Sequence, residues 1–317
     1  MVDLTVLFAT RNGAEVLERT LDGYARQTLS ASRWKMVVVD NGSTDDTRKI
    51  LAKFLSRIPI TVLMERLPGK NRALNCGIPE IDGELAVITD DDSIPDCDFL
   101  AAWLALVEEE TSFDLFGGRI TPEFQEPPAD WIMRLGKSSP NFFGKRSFPD
   151  GEISASEIFG PNMAVRSRVF REGHRFNENI GPNGADPTYP MGSETEFCVR
   201  MESLGYRAFF SSRPHVRHIV RPYQVTLKFL NNRSFQHGRG YALQMYKKGT
   251  LQKEMSRTPT GLLRLFPKRL RGPALLLRAL CSLDRVGRAN AFFVYHWRRG
   301  FEAEVDALNR VQERFCR

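Results

Sequence analysis

The chain is 317 residues long, and its 42% of hydrophobic residues is enough for a sizeable core and excludes a globally disordered protein. Its net charge of +7 is unevenly distributed, because residues 1–227 contain 26 Lys and Arg against 32 Asp and Glu, whereas residues 228–317 contain 19 against 6. The sequence has no run of about 20 apolar residues that could span a membrane, and its five scattered cysteines form neither a disulfide framework nor a metal-binding spacing.

The first 90 residues alternate between strand patterns and helix patterns. Apolar and β-branched runs predict strands at residues 4–10, 35–42, 60–65 and 85–89. Amphipathic spacing predicts helices in AEVLERTLDGYARQT, TDDTRKILAKFLSRI and GKNRALNCGI, with Ser43 capping the second. Strands that alternate with helices in this way predict a mostly parallel α/β sheet.

The second half of the chain is less regular. Residues 116–192 are rich in Gly, Pro and aromatic residues, which predicts long irregular segments of the kind that form substrate loops in compact enzymes. The segment SETEFCVRMESLGYRAFF then predicts a helix from Ser193 to Leu204, a stop at Gly205 and a short strand. The last 90 residues predict helices, with a connector near residues 247–261.

Polar residues cluster directly after three of the predicted strands: Thr-Arg-Asn at 10–12, Asp-Asn at 40–41 and three aspartates at 90–92. Parallel sheets place their ligands at the carboxyl ends of the strands, so we expect these clusters to form one site. No G-x-G-x-x-G motif follows the first strand, and no G-x-x-x-x-G-K-[ST] motif occurs. A dinucleotide-binding domain and a P-loop are therefore disfavoured.

The three aspartates raise a question of charge. Adjacent carboxylates repel one another and are costly to desolvate near a buried strand. A divalent cation such as Mg²⁺ or Mn²⁺ would favour the ionised carboxylates and remove the repulsion. Mg²⁺ commonly takes one or two protein carboxylates together with substrate phosphates, which points to a phosphate-bearing substrate. An acidic surface turn is the alternative for an isolated Asp-Asp-Asp.

The sequence resembles the family 2 glycosyltransferases, which are inverting enzymes of the GT-A fold. Seven segments carry the resemblance in order: FATRNGAEVLERTLDGYARQT, VVVDNGSTDDT, GKNRALNCGI, ITDDDSIPD, FGPNMAVR, GSETEFCVRMESLGYR and VRHIV. The resemblance implies a hexosyltransferase-type enzyme of polysaccharide or glycoconjugate synthesis, which moves a sugar from a UDP-, GDP- or dTDP-sugar to an acceptor hydroxyl. It implies a catalytic domain at 1–227, with a donor half at about 1–115 and an acceptor half at about 116–227. Residues 228–317 would form a helical extension.

The resemblance also implies roles for individual residues. The positions that match donor-binding motifs are Thr10, Arg11, Asn12, Asp40, Lys70, Arg72, Asp90 and Asp91. Asp90 and Asp92 match the outer positions of the D-x-D metal motif, and His218 lies where several family members place a histidine near the metal or diphosphate.

A catalytic base is also required, since an acceptor hydroxyl attacks more readily when its proton is removed as the new bond forms. The segment GSETEF matches the family's acidic motif and places Glu194 at the position of the base, with Glu196 as a competing candidate. Ser193 stands where an acid is common, and Glu194 replaces the commoner Asp. Trp131, Asn162 and Glu196 are the candidate acceptor contacts.

Two other functions fit parts of the sequence. Asp90 to Ile94 also fits the loose motif of haloacid-dehalogenase phosphatases, but that motif normally lies on the first strand, and here three strand–helix segments precede it. A non-catalytic binder of sugar nucleotides or glycans would retain the D-x-D motif and lose the base, whereas Glu194 is present. Nucleic acid is not expected as a partner, because the basic region lacks a recognition module and the rest of the chain is acidic.

The basic C-terminal region suggests a different partner. Leu276, Leu280 and Leu283 fall at helical spacing, with Arg278 and Arg285 off that stripe. Basic amphipathic helices of this kind can lie on anionic membranes, which would suit a lipid-linked acceptor; packing on the catalytic domain is the alternative. The N-terminal segment has neither a basic region nor a cleavage site, so we expect a cytoplasmic protein, peripheral to the inner membrane face if the tail binds lipid.

Overall fold

The computed structural model describes residues 2–138, 143–184, 186–256, 273–274, 276–277, 280–281 and 284–315. The chain divides into two compact units. The first, called the sheet unit, comprises Met1–Gln125, Pro140–Ala185 and Ser193–Val220. The second, called the helical unit, comprises Glu126–Ser139, Asp186–Gly192 and Arg221–Arg317. The sequence-based ranges 1–227 and 228–317 remain a prediction.

The sheet unit alternates strands and helices as the sequence predicts. Its strands are β1 (Leu4–Thr10), β2 (Trp34–Asp40), β3 (Ile60–Met64), β4 (Leu85–Thr89), β5 (Ser93–Pro95), β6 (Leu115–Phe124), β7 (Gly151–Glu152), β8 (Asn162–Arg166) and β9 (Ala208–Val220). Its helices are α1 (Leu17–Ala25), α2 (Thr47–Phe54), α3 (Lys70–Gly77), α4 (Phe99–Glu109), α6 (Ser167–Arg171) and α7 (Ser193–Ser203). α5 (Asp130–Ser138) belongs to the helical unit.

All of these strands join one sheet in the order β3-β2-β1-β4-β8-β6-β9-β5, with β7 paired to β9. β1, β2, β3 and β4 are parallel, which aligns their carboxyl ends, and Thr10 is paired directly with Asp40. β8 is antiparallel to both β4 and β6. The parallel half therefore presents the three polar clusters at one edge.

Helices cover both faces of the sheet. On β1, Val6 and Phe8 pack into a core with residues of α1, α2 and α4, whereas Leu7 packs into a second core with residues of α3, α6 and α7. Strands buried on both faces need apolar side chains in succession, which explains the continuous runs in β1, β2 and β4.

Two local predictions are corrected by the structure. Ser43 does not cap α2: the helix begins at Thr47, whose amide donates to Asp45 Oδ1, and Ser43 Oγ accepts the amide hydrogen of Asn12 instead. The region predicted as irregular contains the ten-residue strand β6 and the strand β8. β6 carries Gly117 and Gly118, which weaken a strand pattern, but a Cβ at Gly118 would overlap Asn162 on the neighbouring strand.

The helical unit contains α5, α8 (Leu227–Lys247), α9 (Leu251–Ser256) and α10 (Arg285–Phe315). α8 and α10 cross at glycines, because a Cβ at Gly238 would overlap the carbonyl of Trp297 and a Cβ at Gly300 would overlap that of Phe235. Of the predicted stripe, Leu276 is partly buried and Leu280 is 61% exposed, whereas Leu283 and Arg278 lie outside the described residues. Among the helices that the structure describes, none is both long and apolar enough to cross a membrane.

Candidate functional site

A cleft of about 340 Å³ opens at the carboxyl ends of β1, β2 and β4 in the sheet unit. Its lining combines the three polar clusters with residues from two other segments: Ala9, Thr10, Arg11, Asn41, Lys70, Asp90, Asp91, Asp92, Pro182, Asn183 and Gly184. The structure therefore brings together the clusters that sequence analysis expected to meet.

A lysine lies between two carboxylates beside this cleft. Lys70 Nζ, in the first turn of α3, lies 2.5 Å from Asp90 Oδ1 and also pairs with Glu194 Oε1, in the first turn of α7. All three side chains are largely buried, and that of Glu194 is 13% exposed. The pairing connects the aspartate cluster to the residue predicted to be the base.

Burial and charge oppose each other in this group. Burial would raise the pKa of Glu194, but the Lys70 charge and the hydrogen bonds from Lys70 and Ser193 outweigh it and lower that pKa, so the carboxylate is ionised at neutral pH. Burial would lower the pKa of Lys70, but the two carboxylates raise it. Burial and the negative charges of Glu194 and Asp92 raise the pKa of Asp90, and together they outweigh the Lys70 charge, which lowers it. An additional cation would favour the ionised form of Asp90.

The other two aspartates have separate surroundings. Asp91 Oδ2 accepts a hydrogen bond of 2.5 Å from Thr10 Oγ1, and a Cβ at Gly13 would lie 2.5 Å from the same oxygen. Asp92 Oδ1 lies 3.5 Å from His218 Nε2, and β5 and β9 hold the two residues together. Thr10 and Gly13 thus fix Asp91, whereas Asp92 and His218 form a neighbouring pair.

The carboxylate oxygens in the cleft are suitable ligands for a hard divalent cation. Asp90, Asp91 and Asp92 all line the cleft with carboxylate oxygens, which Mg²⁺ and Mn²⁺ prefer. Within the described ranges, no group of three or more carboxylate, histidine or cysteine side chains is placed to hold a metal ion. Mg²⁺ commonly takes only one or two protein carboxylates and completes its shell with substrate phosphate and water.

The β2 end of the site is fixed by internal hydrogen bonds. Asp40 is 1% exposed; its carboxylate accepts the Ser43 amide at 2.8 Å and Arg48 Nε at 2.5 Å. Burial would raise the pKa of Asp40, but these partners lower it. Asn41 holds the loop before α3, because its amide donates to the carbonyls of Glu65 and Leu67.

Three other predicted site residues form ion pairs or hydrogen bonds with neighbouring residues of the protein. Arg72 pairs with Glu178 at 2.8 Å, and Glu196 Oε1 lies 3.4 Å from Arg200 Nε on the same helix. Asn12 has a left-handed φ of 55° and accepts the Thr44 amide hydrogen. None of these three lines the cleft, and each role stays a prediction.

Two predicted acceptor contacts are not among the residues that line the cleft. Asn162 is completely buried, and its amide donates to the carbonyls of Arg119 and Pro214, so burial favours a structural role over direct contact with an acceptor. Trp131 lies partly buried in α5 of the helical unit. Both assignments to the acceptor stay predictions.

Two features of the site have only a weak signal in the sequence. Pro182, Asn183 and Gly184 line the cleft, and the only available signal was the Gly- and Pro-rich composition of their segment. Gly160 packs directly against Glu194, since a Cβ at Gly160 would overlap the carboxyl group of that residue. Gly160 lies within FGPNMAVR, but nothing in that motif alone indicates which side chain needs the space.

Comparisons with known proteins agree with this architecture. Residues 5–173, more than half of the chain, match the model of Glycosyl transferase family 2. Glycosyltransferase AglE of Haloferax volcanii is 26% identical over 240 residues, which are 75% of this chain and 72% of AglE. Poly(ribitol-phosphate) beta-N-acetylglucosaminyltransferase TarS of Staphylococcus aureus is 25% identical over 114 residues, which are 35% of this chain but only 20% of TarS.

Solved structures share the fold at low sequence identity. Mannosyltransferase PcManGT from Pyrobaculum calidifontis, in complex with GDP-Man and Mn²⁺, aligns with a TM-score of 0.63 and 18% identity over 96% of this chain and 88% of its own. TarS 1–349 of S. aureus in complex with UDP-GlcNAc aligns with a TM-score of 0.57 and 13% identity, covering 97% of this chain and 92% of that one. These alignments confirm the predicted GT-A fold with a C-terminal helix.

The phosphatase hypothesis no longer applies, because the aspartates follow the fourth strand of a glycosyltransferase sheet. The family resemblance noted from the seven sequence segments is confirmed by a model that matches more than half of the residues. The chain therefore belongs to glycosyl transferase family 2 and is a glycosyltransferase enzyme.

Proposed function

We propose that the protein transfers a sugar from a nucleoside-diphosphate donor to an acceptor hydroxyl in a single displacement that inverts the anomeric configuration. The main support is the position of Lys70 between Asp90 and Glu194. Through Lys70, the aspartates proposed to bind the donor diphosphate lie next to an ionised carboxylate that can act as a base. The acceptor oxygen forms its bond to the anomeric carbon while the bond to the donor phosphate breaks. The electron pair of the broken bond departs with the nucleoside diphosphate.

The residues in the cleft have distinct proposed tasks. Asp90 and Asp92 would hold Mg²⁺ or Mn²⁺, with His218 beside Asp92. A bound cation would supply Lewis-acid stabilisation of the charge on the departing diphosphate. Thr10, Arg11 and Lys70 line the same cleft and would bind the donor's nucleotide and phosphate groups. Asp40, Asn12 and Arg72 do not line the cleft. They remain candidates for binding the sugar donor, which would have to extend beyond the cleft lining to contact them.

Glu194 is proposed to accept the proton of the acceptor hydroxyl. Its ionised state supports this role, and the hydrogen bond from Ser193 Oγ to Glu194 Oε2, at 2.7 Å, fixes the carboxylate. The family commonly has an acidic residue at the position of Ser193, and here Ser193 instead donates the hydrogen bond that orients the proposed base. Glu196 is directed toward Arg200 and is the weaker candidate for the base.

Replacing Gly160 by Ala should reduce kcat by about 100-fold, because the added methyl group would displace the Glu194 carboxylate and misplaced catalytic groups cost rate on this scale. The affinity for the nucleoside diphosphate should change little. Gly117→Ala is the matched control, since a Cβ there meets Ile158 at an ordinary 3.4 Å. Equal kcat values for the two variants would show that Gly160 does not position the base.

The donor is best identified by direct screening. Structures of relatives contain UDP-GlcNAc and GDP-Man, so both belong in the panel, together with dTDP-sugars. We expect one donor to release nucleoside diphosphate in the presence of Mg²⁺ or Mn²⁺ and a glycan or lipid-linked acceptor. If no donor in the panel binds or is turned over while the protein is folded, the proposed transfer from a nucleotide sugar would be wrong.

The basic C-terminal region is proposed to bring the enzyme to an anionic membrane surface. Each basic residue close to such a surface contributes about 1 kcal/mol, and residues 228–317 hold 19 of them. The full-length protein should co-sediment with anionic vesicles at low salt and be released as the salt concentration rises. Failure to bind such vesicles at low salt would contradict this proposal and remove the support for a lipid-linked acceptor.

A further inference from the structure

A second pocket in the sheet unit lies at the other end of the strands. It has a volume of about 250 Å³ and is lined by Glu84, Thr111, Arg166, Arg168 and Arg171. β4 and β8 run antiparallel, with Leu85 paired to Arg166 at this end and Thr89 paired to Asn162 at the end that carries Asp90. Four residue steps separate the ends, or about 13 Å along the strand. The pocket is therefore separate from the cleft that holds the aspartates.

Arg166 brings a positive charge into this pocket without a carboxylate partner. Its Nε donates to the carbonyl of Phe113 at 2.8 Å, and its Nη2 donates to the carbonyls of Val107 and Glu110 at 2.8 and 3.2 Å. In the described part of the chain, Arg166 makes no ion pair within 4 Å. Burial lowers the pKa of Arg166, and the charges of Asp114 and Glu84 offset this effect only in part. The guanidinium is thus held by neutral acceptors, and its Nη1 takes no part in these bonds.

Two further arginines complete the positive lining. Arg168 pairs with the buried Asp114 through Nε at 2.7 Å and Nη2 at 2.6 Å, and its side chain remains 56% exposed. Arg171 is exposed, and its Nη1 donates to the carbonyl of Gly83 at 3.3 Å. Glu84 is the one acidic residue among the five that line the pocket. The pocket is therefore lined by three guanidinium groups and one carboxylate, that of Glu84. Among the residues that the structure describes, Glu84 forms no ion pair with any of the three arginines.

We propose that this pocket is an anion site that binds a phosphate group, either free as inorganic phosphate or pyrophosphate or carried as the phosphomonoester headgroup of a lipid. Guanidinium groups match the geometry of phosphate oxygens and hold them through paired, charge-assisted hydrogen bonds. Arg166 is fixed by three main-chain carbonyls, so its free edge is oriented before any ligand arrives. Thr111 adds a hydroxyl donor to the same lining.

Two substitutions test the site in opposite directions. Arg171→Gln removes one charge without touching a carboxylate or a buried partner, and it should weaken pyrophosphate binding by about tenfold or more, the loss expected for one charge-assisted hydrogen bond. Glu84→Gln removes the opposing charge and should tighten binding by about fivefold, the scale of an exposed charge interaction. Arg175→Gln is the matched control, because Arg175 is exposed, donates only to main-chain carbonyls in its described bonds and lies outside the pocket.

Binding would be measured by calorimetry on the full-length protein with pyrophosphate and with inorganic phosphate, in chelator so that no divalent metal recruits the anion to the aspartates. We expect weakening in Arg171→Gln, tightening in Glu84→Gln and a change of less than about twofold in Arg175→Gln. Arg11→Gln, in the cleft of the aspartates, should also leave this binding within that limit. If Arg11→Gln weakens the binding and Arg171→Gln does not, the anion occupies the other cleft and the proposal is overturned.

A vesicle experiment separates the two sources of phosphate. Full-length protein and its Arg171→Gln and Arg175→Gln variants are sedimented with phosphatidylcholine vesicles that contain either phosphatidic acid or phosphatidylglycerol at equal surface charge, because only phosphatidic acid has a phosphomonoester and the basic C-terminal region would bind both. A preference for phosphatidic acid that is lost only in Arg171→Gln identifies a lipid headgroup, whereas pyrophosphate binding with equal sedimentation of both variants identifies a free anion. Absence of pyrophosphate and phosphate binding, together with equal sedimentation of the two variants, would refute the site altogether.

Discussion

Replacing Asp92 by Asn should reduce sugar transfer by about 1000-fold or more. The substitution preserves the shape of the side chain and removes one negative charge from the group of three aspartates that line the cleft. Metal-assisted charge stabilisation contributes several kcal/mol to a transition state, and about 4 kcal/mol corresponds to roughly three powers of ten in rate. Asp90→Asn should also be severe but weaker, because Asp90 is already paired with Lys70.

The Asp92→Asn experiment needs measurements of both metal binding and rate. Transfer should cease in chelator and return when Mn²⁺ or Mg²⁺ is added, and paramagnetic resonance should show weaker Mn²⁺ binding by the Asp92→Asn variant with nucleoside diphosphate present. Asp98→Asn is the matched control, because Asp98 follows in the same segment, is exposed and makes no side-chain cap bond to α4. Full activity of the wild-type enzyme in chelator would contradict the metal role.

The parallel half of the sheet was predictable because each of its signals is local. β1 and β4 have the predicted bounds, and their apolar runs end where the polar clusters begin. The carboxyl ends of parallel strands must share an edge, so the proximity of Thr10, Asp40 and the aspartates followed from strand direction alone.

The antiparallel half was not predictable in the same way. β8 enters the sheet between β4 and β6, and its partners are distant in sequence. The glycines of β6 resemble loop residues until the neighbouring Asn162 shows why a Cβ is excluded. Tertiary packing thus overrides the local signal at Gly118, and no periodicity in the sequence reports such packing.

The candidate base illustrates the same limit within the site. Family resemblance pointed to Glu194, but its partner Lys70 lies on α3 and its neighbour Gly160 lies before β8. Only the fold brings these three residues together. Their proximity changes the chemical expectation, because a buried glutamate alone would have a raised pKa, whereas Lys70 lowers the pKa of Glu194 and keeps its carboxylate ionised.

Replacing Glu194 by Gln should lower kcat by about 10²- to 10⁴-fold, which is the usual contribution of a general base. Gln retains the length of the side chain and can still accept a hydrogen bond from Lys70, but it cannot take up a proton at neutral pH. The fold should persist, because Lys70 keeps Asp90 as its charged partner and no uncompensated charge is created in the group. Affinity for the nucleoside diphosphate should remain close to that of the wild type.

The matched control for Glu194→Gln is Glu196→Gln, which makes the same chemical change two residues further along α7. Its described ion-pair partner is Arg200, so transfer should fall by no more than a few-fold. The kcat of both variants is measured with the identified donor, and calorimetry with nucleoside diphosphate separates binding from chemistry. An active Glu194→Gln enzyme beside an inactive Glu196→Gln enzyme would move the base to Glu196. Retention of anomeric configuration in the wild-type product, determined by NMR, would instead rule out single displacement.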